Sequence, residues 1–394
     1  MSASSTVLCL NAGSSSLKVA LFETGAGERR LAHGAAERIG LDSGRVWLRD
    51  AAGKTVADRE ARLDDHDAAS SALLDELARI SGAEAPAAIG HRIVHGGAAH
   101  ARPAPVDRAL LAELEALVPF APLHLPSELR CIEAAAARFP DAPQVACFDT
   151  AFHRTMPEVA QRLPLPRALW ERGIRRYGFH GLSYEFVVSA IGADVLGRAV
   201  IAHLGNGASA VAIRDGASVD TTMGFTPAGG FAMGTRSGDL DPGVLVHLLD
   251  HGGYDARGID ALVNHESGLL GLSSSSPDMK TLLENEAFDP RAAEAIESFC
   301  HGLRKSIGAL AAALGGLDTL VFTGGIGEHA SPVRERTCRG LAHLGIAIEP
   351  AANAAHAEVI SPAGSRCTVR VVPTDEERVI ARHARDLVLE KRGS

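Results

Sequence analysis

Residues 7–22 have the sequence VLCLNAGSSSLKVALF, which is an apolar strand, a short polar turn and a second apolar strand. Small residues in such a turn let backbone N–H groups and hydroxyls approach an anion. The ammonium group of Lys18, just beyond the turn, can reach a phosphate. The stretch is not a Walker A loop, which has a different glycine spacing and continues into a helix. An ordinary hairpin turn is the alternative, because Asn and Gly are common in turns.

The pattern returns at residues 200–213, VIAHLGNGASAVAI, which open the second half of the chain. One such segment in each half predicts an internally duplicated nucleotide-binding fold. At this level the sequence resembles the superfamily of sugar kinases, Hsp70 and actin. The resemblance implies an α/β protein with two domains of duplicated ribonuclease-H-like fold. We expect an N-terminal domain over residues 1–148, completed by a C-terminal helix over 378–394, and a nucleotide-binding C-terminal domain over 149–377.

Length, composition and charge limit the class of protein. A chain of 394 residues, 46% of them hydrophobic, is too long for one ordinary core and favours two domains. The net charge of -9 argues against a basic nucleic-acid-binding surface. The sequence contains no run of about 18 apolar residues, so it predicts no membrane span. The start of the chain has no signal-peptide pattern. Since the cysteines also lack metal-binding spacing, we expect a cytoplasmic protein without a nucleic-acid or membrane partner.

Local signals predict several helices and strands. The apolar run 88–97 is typical of a buried strand and ends at a double glycine. Residues 289–316 predict a long helix, opened by Asp-Pro and stopped by two glycines. We expect Ser127 to cap one helix and Thr374 to open the last helix, with Glu377 completing a capping box.

Arg92 and Asp149 are candidate catalytic residues in the first half of the chain. Arg92 lies in an apolar strand, where a guanidinium is costly unless it meets an anion. A buried ion pair with a local carboxylate is the alternative explanation. Asp149 lies near the end of the apolar stretch 144–150, where α/β proteins often hold a catalytic carboxylate. His91 and His95 are four residues apart, but their strand context and the missing glutamate argue against zinc.

Arg236, His124 and His180 lie in rigid or glycine-framed segments. The loop that holds Arg236 can bring an arginine to a transferring phosphoryl group. Pairing at the surface with Asp239 or Asp241 is the alternative. His124 is bracketed by prolines in APLHLP, and His180 by glycines in YGFHG. A structural role is the alternative for both histidines.

Residues 325–330, GIGEHA, follow a predicted strand and match a dinucleotide-binding fingerprint, with Glu349 at roughly the expected distance. The match makes an NAD-dependent oxidoreductase an alternative function. A full dinucleotide fold needs more βαβ units than the remaining chain supplies. An adenosine site beside a strand-to-helix turn explains the same glycines.

From Val7 to about Ala384 the chain resembles the acetate and propionate kinase family. The resemblance rests on ten segments in order: NAGSSSLK, HRIVHGG, APLH, FDTAFH, RYGFHG, HLGNGAS, DTTMGFTP, MGTRSGDLDP, FTGGIGE and TDEERVIA. It implies reversible, direct in-line phosphoryl transfer from ATP to acetate, giving acetyl phosphate and ADP. It also implies Mg²⁺ or Mn²⁺ as cofactor and a homodimer. A kinase for propionate or another short-chain carboxylate is the alternative, and a non-enzymatic ATP-driven binding protein is a remote one.

The resemblance assigns roles by position. Catalysis is assigned to Arg92, Asp149, His180 and Arg236. The small substrate is assigned to Arg92, Val94, Leu123, Phe179 and Pro227. The nucleotide and its phosphates are assigned to Ser14, Ser16, Lys18, His124, His203, Leu204, Gly205, Asn206, Gly207, Asp278, Met279, Lys280, Gly325, Ile326, Gly327 and His329. The metal is assigned to Asn11 and Glu376, and Asp149 is assigned to placing Mg²⁺ together with Glu376. Glu376 is preferred over Glu377 because the predicted helix cap uses Glu377.

The chain also departs from the family pattern. Family members commonly have Asn, Thr and His at the positions of Leu125, Leu182 and Tyr184. The resemblance places these three at the edge of the acyl-phosphate site. Three further departures concern the nucleotide site and its nucleotide preference: Met279, Lys280 and His329.

Overall fold

The computed structural model describes residues 6–13, 15–25, 28–81 and 85–393. Its strands are β1 (Thr6–Ala12), β2 (Ser16–Glu23), β3 (Arg30–Glu37), β4 (Gly44–Asp50), β5 (Thr55–Ala61), β6 (Ala88–Ile93), β7 (Ala104–Pro105), β8 (Gln144–Phe148), β9 (Ala199–Leu204), β10 (Ala208–Arg214), β11 (Ala217–Thr221), β12 (Thr319–Thr323) and β13 (Thr368–Val371). Its α-helices are α1 (His66–Ser81), α2 (Arg108–Leu117), α3 (Leu125–Arg138), α4 (Glu158–Gln161), α5 (Arg167–Glu171), α6 (Gly181–Ile191), α7 (Ala193–Leu196), α8 (Pro242–His251), α9 (Ala256–Ala261), α10 (Gly268–Ser273), α11 (Met279–Asn285), α12 (Pro290–Leu314), α13 (Gly324–His329), α14 (Ser331–Arg339), α15 (Pro350–Ala354) and α16 (Glu376–Gly393).

The chain forms two compact units. The first unit consists of Met1–Ala151 with Asp375–Ser394, and the second of Phe152–Thr374. The sequence placed the divisions after residue 148 and before residue 378. The difference arises at strand and helix ends: the Asp149 N–H donates to the Ile93 carbonyl of β6 at 2.9 Å, and α16 begins before 378.

The first unit is built on an eight-stranded sheet in the order β5-β4-β3-β2-β1-β6-β8-β7. Strands β1 to β5 pair as successive antiparallel neighbours, while β6 lies parallel to β1 and β8 parallel to β6. In β1 all residues after the first are buried. A strand covered on both faces has a continuous apolar sequence, which explains why residues 7–10 are entirely hydrophobic.

The second unit is built on a five-stranded sheet in the order β11-β10-β9-β12-β13. Strands β9, β10 and β11 are antiparallel, and β12 and β13 continue parallel to β9. The first unit contains the same arrangement in β3-β2-β1-β6-β8. The repeated arrangement of three antiparallel strands and two parallel ones confirms the predicted duplicated α/β fold.

The helix predicted over residues 289–316 is confirmed as α12. The Asp289 carboxylate accepts from the Arg291 N–H at 3.0 Å, Pro290 occupies the first turn, and Gly315 ends the helix at φ 72°. A positive φ at this position is favourable for glycine and strained for other residues. Within the described residues, no helix combines the length and hydrophobicity that a membrane crossing requires.

Two of the predicted helix caps are wrong. Helix α3 begins at Leu125, and Ser127 lies inside its first turn, where the hydroxyl donates to the His124 carbonyl at 2.7 Å. At α16 the carboxylate of Asp375 accepts from the Arg378 N–H at 3.1 Å and takes the capping role expected of Thr374 and Glu377. Pro126 in the first turn permits the earlier start of α3, and Asp is a strong capping residue one position beyond Thr374.

Candidate active site

Three polar residues of the first unit lie where parallel strands end. Asn11 is the next-to-last residue of β1, Arg92 is the next-to-last residue of β6, and Asp149 follows β8 directly. Because these strands are parallel neighbours, their carboxyl ends share one edge of the sheet. Ligands of α/β proteins bind outside such an edge. The structure therefore brings these three predicted site residues together.

Arg92 forms a buried ion pair with Asp149. Its Nε and Nη2 donate to Oδ2 of Asp149 at 3.0 and 2.6 Å, and its Nη1 donates to Oδ1 of Asn11 at 3.2 Å. The side chains of Arg92 and Asp149 are 13% and 1% exposed. Burial lowers the pKa of Arg92, but the charges of Asp149 and Glu376 more than reverse this effect, so the guanidinium stays charged. The alternative explanation for Arg92 was an ion pair with a local carboxylate. That carboxylate is Asp149, which is itself a predicted site residue.

Asn11 also holds two glutamates at the start of α16. Its Nδ2 donates to Oε2 of Glu376 at 2.9 Å and to Oε1 of Glu377 at 3.1 Å. Since Asp375 caps the helix, the reason for preferring Glu376 over Glu377 as a metal ligand is removed. Among the residues that the structure describes, no three His, Cys, Asp or Glu side chains form a ready-made metal site. Two carboxylates nevertheless fit Mg²⁺, which is commonly bound by one or two carboxylates together with waters and substrate phosphates.

Glu128 belongs to this part of the unit, although no sequence motif indicated it. Its carboxyl is 1% exposed, and its Oε2 accepts from the backbone N–H of Val94 at 3.0 Å. Burial raises its pKa to about 8, against the opposing effects of Arg92 and the Val94 N–H. Helical spacing could have revealed the burial, because Glu128 shares the apolar face of α3 with Leu125 and Ile132.

The turn between β1 and β2 is closed by a hydrogen bond from the Gly13 N–H to the Ser16 carbonyl at 2.7 Å. Lys18 pairs in register with Asn11, and its side chain is exposed. Ser14, assigned to phosphate binding, lies outside the described residues. The described part of this turn therefore places one cation beside the strand end that carries Asn11.

His91 and His95 have hydrogen-bond partners within the first unit. His91 is buried, with its Nε2 2.6 Å from Oε1 of Gln144, and burial lowers its pKa to about 4. His95 Nδ1 accepts from the Gly97 N–H at 2.9 Å. His124 is buried at the start of α3, next to the half-buried Leu123.

In the second unit, His180 and His203 form a stacked pair. Their ring centroids are 4.2 Å apart and their planes differ by 20°. His180 has φ 58° at the start of α6, and its Nδ1 lies 2.8 Å from the hydroxyl of Ser209. His203 is the next-to-last residue of β9, before Leu204, and its Nδ1 lies 2.8 Å from the hydroxyl of Ser183. Both rings are thus held at defined orientations.

Gly207 leaves a space beside two candidate catalytic groups. A methyl group added at Gly207 would lie 3.3 Å from Nη1 of Arg236 and 3.5 Å from Nε2 of His180. Arg236 Nη1 donates to the Pro227 carbonyl at 3.3 Å, and the loop of Arg236 is tied to the turn by the Gly234 N–H, which donates to the Asn206 carbonyl at 3.1 Å. The turn therefore places backbone and two nitrogen donors around one small volume.

The carboxylates offered as surface partners of Arg236 bind backbone groups. Asp239 Oδ1 accepts from the Gly230 N–H at 2.8 Å, and Asp241 caps α8 by accepting from the Gly243 N–H at 2.8 Å. Phe179, assigned to the substrate pocket, is buried immediately before His180, and its carbonyl lies 2.9 Å from Nε2 of His153.

A second glycine turn follows β12. Gly324 has φ 75°, and a Cβ there would lie 2.8 Å from the Leu204 carbonyl oxygen, so only glycine fits. At Gly325 a Cβ would meet no atom within 4 Å, which leaves that side of the turn open. The buried Arg334 donates from Nη1 to the carbonyls of Gly327 and Glu328 at 2.8 and 2.9 Å. These contacts hold the turn that carries the predicted nucleotide residues.

The remaining predicted nucleotide residues differ in exposure. Asp278 caps α11, with Oδ2 accepting from the Thr281 N–H at 3.0 Å. Met279 is 2% exposed, which leaves its side chain little surface for a ligand. The side chains of Lys280 and His329 are 83% and 79% exposed. Of these departures from the family, only the last two present side chains to solvent.

Comparison with known proteins gives a consistent result. Residues 6–382 match the model of the acetokinase family. The acetate kinase of Streptomyces coelicolor is 47% identical over 401 residues, covering 98% of this chain and 98% of the relative. The acetate kinase of Rhodopseudomonas palustris is 46% identical over 397 residues, covering 96% of this chain and 98% of the relative.

Solved structures of two kinases match the whole fold. The acetate kinase of Porphyromonas gingivalis superposes with a TM-score of 0.84 at 38% identity, covering 98% of this chain and 100% of that chain. A propionate kinase of Francisella tularensis superposes with a TM-score of 0.90 at 35% identity, covering 97% and 99%.

The oxidoreductase alternative is wrong. The dinucleotide fingerprint needs one continuous helix after the glycines. Instead α13 ends at His329, and a separate helix begins at Ser331, so Ala330 lies between two helices. Residues 6–382, which include this turn, instead match the model of the acetokinase family.

Proposed function

The chain belongs to the acetokinase family, and from this premise we propose that it is an acetate kinase, an ATP-dependent phosphotransferase with a carboxyl group as acceptor. The main observation that supports this proposal is the Arg92–Asp149 ion pair at the sheet edge of the first unit. It supplies a fixed, charged guanidinium for a small carboxylate, in a chain whose relatives include acetate kinases. The reaction is the reversible in-line transfer of a phosphoryl group between ATP and acetate.

Arg92 binds and orients the acceptor carboxylate. A guanidinium can form two parallel hydrogen bonds to a carboxylate, which orients the acceptor as well as binding it. Asp149 and Asn11 hold the guanidinium in one position by the contacts at 2.6–3.2 Å. A carboxylate is already ionised at pH 7, so its attack on phosphorus requires no general base. Arg92 therefore contributes alignment, which is a major part of catalysis in phosphoryl transfer.

Arg236 and His180 stabilise the phosphoryl group during transfer. They border the space beside Gly207, where two nitrogen donors and a bare backbone can surround phosphoryl oxygens. Charge on these oxygens is stabilised by preorganised donors in the transition state. The glycine turns at 205–207 and 324–327 allow the backbone to approach the nucleotide. Asp278, at the start of α11, is a further residue that binds the nucleotide.

Glu376 and Glu377 would hold Mg²⁺ or Mn²⁺, and Asn11 fixes both carboxylates by donating to them. The metal, when bound, neutralises phosphate charge and helps to align the nucleotide. Asn11 positions the two carboxylates through its amide group, and its carbonyl oxygen is engaged by Arg92. Acceptor binding and metal binding are thereby coupled through one asparagine.

Acetate is the preferred acceptor, and propionate is a second candidate because of the similarity to a propionate kinase structure. Val94, Leu123, Phe179 and Pro227 are assigned to the methyl pocket. Val94 and Phe179 are each buried within their own unit, and a backbone group of each is hydrogen-bonded. One methylene changes specificity by only about 10- to 200-fold, so discrimination against propionate is modest.

The protein is a cytoplasmic homodimer that uses α8 in the subunit contact. None of the residues of this described helix is buried, and Val244, Val246 and Leu249 are 46%, 57% and 46% exposed. Val246 and Leu249, three residues apart, lie on one side of the helix, and exposed apolar side chains of this kind are typical of a protein contact. Sedimentation should give a dimer for the wild type and a monomer for Val246→Asp, whereas a wild-type monomer at micromolar concentration contradicts the proposal. The free thiols of all the cysteines agree with a reducing compartment.

One assay tests the proposed reaction. Purified protein is incubated with ATP, Mg²⁺ and acetate, propionate or butyrate, and hydroxylamine traps any acyl phosphate as a hydroxamate. We expect the highest kcat/KM with acetate and a loss of product when Mg²⁺ is chelated. Absence of hydroxamate with every carboxylate contradicts a carboxylate kinase, and a maximum with butyrate contradicts the assignment within the family. Unchanged turnover in a folded Arg92→Lys variant contradicts the role of that guanidinium.

A further inference from the structure

We propose that Tyr184 is a positioning residue for phosphoryl transfer, because its hydroxyl acts through Ser209 to fix the orientation and tautomer of His180. The inference rests on the proposed function, in which His180 serves the transferring group. At position 184 this chain has Tyr where family members commonly have His, and the resemblance assigned no role to Tyr184. The structure places it one hydrogen bond away from the partner of His180.

Tyr184 is fully buried in the first turn of α6. A buried phenol requires a hydrogen-bond partner, because an unsatisfied hydroxyl is costly in an apolar environment. Its oxygen lies 2.5 Å from Oγ of Ser209, a buried residue of β10. The same Oγ lies 2.8 Å from Nδ1 of His180. Ser209 therefore connects the phenol with the imidazole.

The chemistry of the three groups favours one direction for these hydrogen bonds. Ser209 has a single proton to donate. A phenol is more acidic than an aliphatic alcohol, so it is the better donor and the poorer acceptor of the two. Tyr184 therefore donates to Ser209, and Ser209 donates to Nδ1 of His180. The neutral imidazole then carries its proton on Nε2.

The Nε2–H of His180 is directed to the proposed phosphoryl site. A methyl group at Gly207 would lie 3.5 Å from this nitrogen and 3.3 Å from Nη1 of Arg236. Stacking on His203 disfavours a charge on both rings at once, because two imidazolium rings 4.2 Å apart would repel each other. The hydrogen-bond chain Tyr184–Ser209–His180, called the relay below, thus supplies an oriented N–H donor beside the permanently charged guanidinium of Arg236.

Removal of one phenolic hydroxyl tests the relay. Tyr184→Phe is compared with Tyr177→Phe, a matched control in the same unit, because the Tyr177 hydroxyl donates to the Gly173 carbonyl at 2.8 Å. Luciferase measures ATP formed from acetyl phosphate and ADP, which permits slow variants to be followed. We expect Tyr184→Phe to lower kcat about 10-fold with KM for ADP within about twofold of wild type, as for the loss of one aligned hydrogen bond. Tyr177→Phe should leave both constants unchanged.

A second background separates positioning from general structural damage. In His180→Ala, the additional Tyr184→Phe change should not lower kcat further, since its target is absent. Equal kcat for Tyr184→Phe and Tyr177→Phe overturns the inference, as does an undiminished loss in the His180→Ala background. Thermal unfolding of all variants checks that they are folded. If the wild type forms no ATP, the proposed function fails and the inference fails with it, whereas an active wild type with unaffected Tyr184→Phe refutes the inference alone.

Discussion

Glu128→Gln is expected to stabilise the first unit relative to wild type by an amount that increases with pH. The carboxyl of Glu128 is 1% exposed, and burial raises its pKa from 4.5 to about 8. Oε2 accepts from the Val94 N–H, and Oε1 is buried without a hydrogen-bond partner in the part of the chain that the structure describes. Glutamine retains the acceptor and has the shape of the protonated acid, so the substitution removes the titration and little else.

The sign follows from the two pKa values. The folded state keeps the proton up to about pH 8, whereas the unfolded chain releases it near 4.5. Between these values the unfolded state binds fewer protons, so the stability of the wild type falls as pH rises. At about 1.4 kcal/mol per pKa unit, the loss reaches roughly 5 kcal/mol above pH 8. Below pH 4.5 the term vanishes, and Glu128→Gln should then differ little from wild type.

Urea unfolding at pH 5 and pH 8.5 measures this difference. Trp47 lies in the first unit and Trp170 in the second, so a Trp170→Phe background restricts the fluorescence signal to the first unit. The control is Glu133→Gln, an exposed position on the same helix. The stability gained by Glu128→Gln should be about 4 kcal/mol larger at pH 8.5 than at pH 5, with no such change for the control. A gain that is equal at the two pH values would refute the reasoning.

Three further outcomes test the active site. Arg236→Lys should lower kcat at least about 100-fold with little change in nucleotide affinity, and near-normal turnover in a folded variant would assign Arg236 a structural role. Gly207→Ala should lower kcat/KM for acetyl phosphate about 10-fold. Gly308→Ala, where a Cβ meets no atom within 4 Å, is the control. Equal kcat/KM for the two variants would mean that the space beside Gly207 is not used in the reaction. Glu376→Gln and Glu377→Gln should each raise the Mg²⁺ concentration for half-maximal rate about 10- to 100-fold, and a normal Mg²⁺ titration would remove that carboxylate from the metal site.

Sequence predicted those features that depend on neighbouring residues or on strand ends. The Asp289 cap and the Gly315 stop of α12 are local chemistry, and both were predicted correctly. The Thr374 cap was wrong because a stronger capping residue, Asp375, follows it. Glu128 was missed because no motif marks it, although its helical spacing from Leu125 and Ile132 places it on the apolar face of α3; its proximity to Arg92 and Val94, by contrast, depends on packing between segments distant in sequence. The contact of Tyr184 with Ser209 likewise requires α6 and β10 to be adjacent.

The two units have the same strand arrangement but carry different groups at equivalent strand ends. In each unit one strand, β1 or β9, has parallel strands next to it in the sheet, and the carboxyl ends of these strands share one edge. In the first unit that edge carries Asn11, Arg92 and Asp149, and side-chain charge suits a small carboxylate and a metal. In the second unit the equivalent strands end in the glycine turns 205–207 and 324–327, and bare backbone suits a larger phosphate-bearing ligand. The proposed roles therefore follow from the groups at the strand ends, which differ between the two units while the order and direction of the strands are the same.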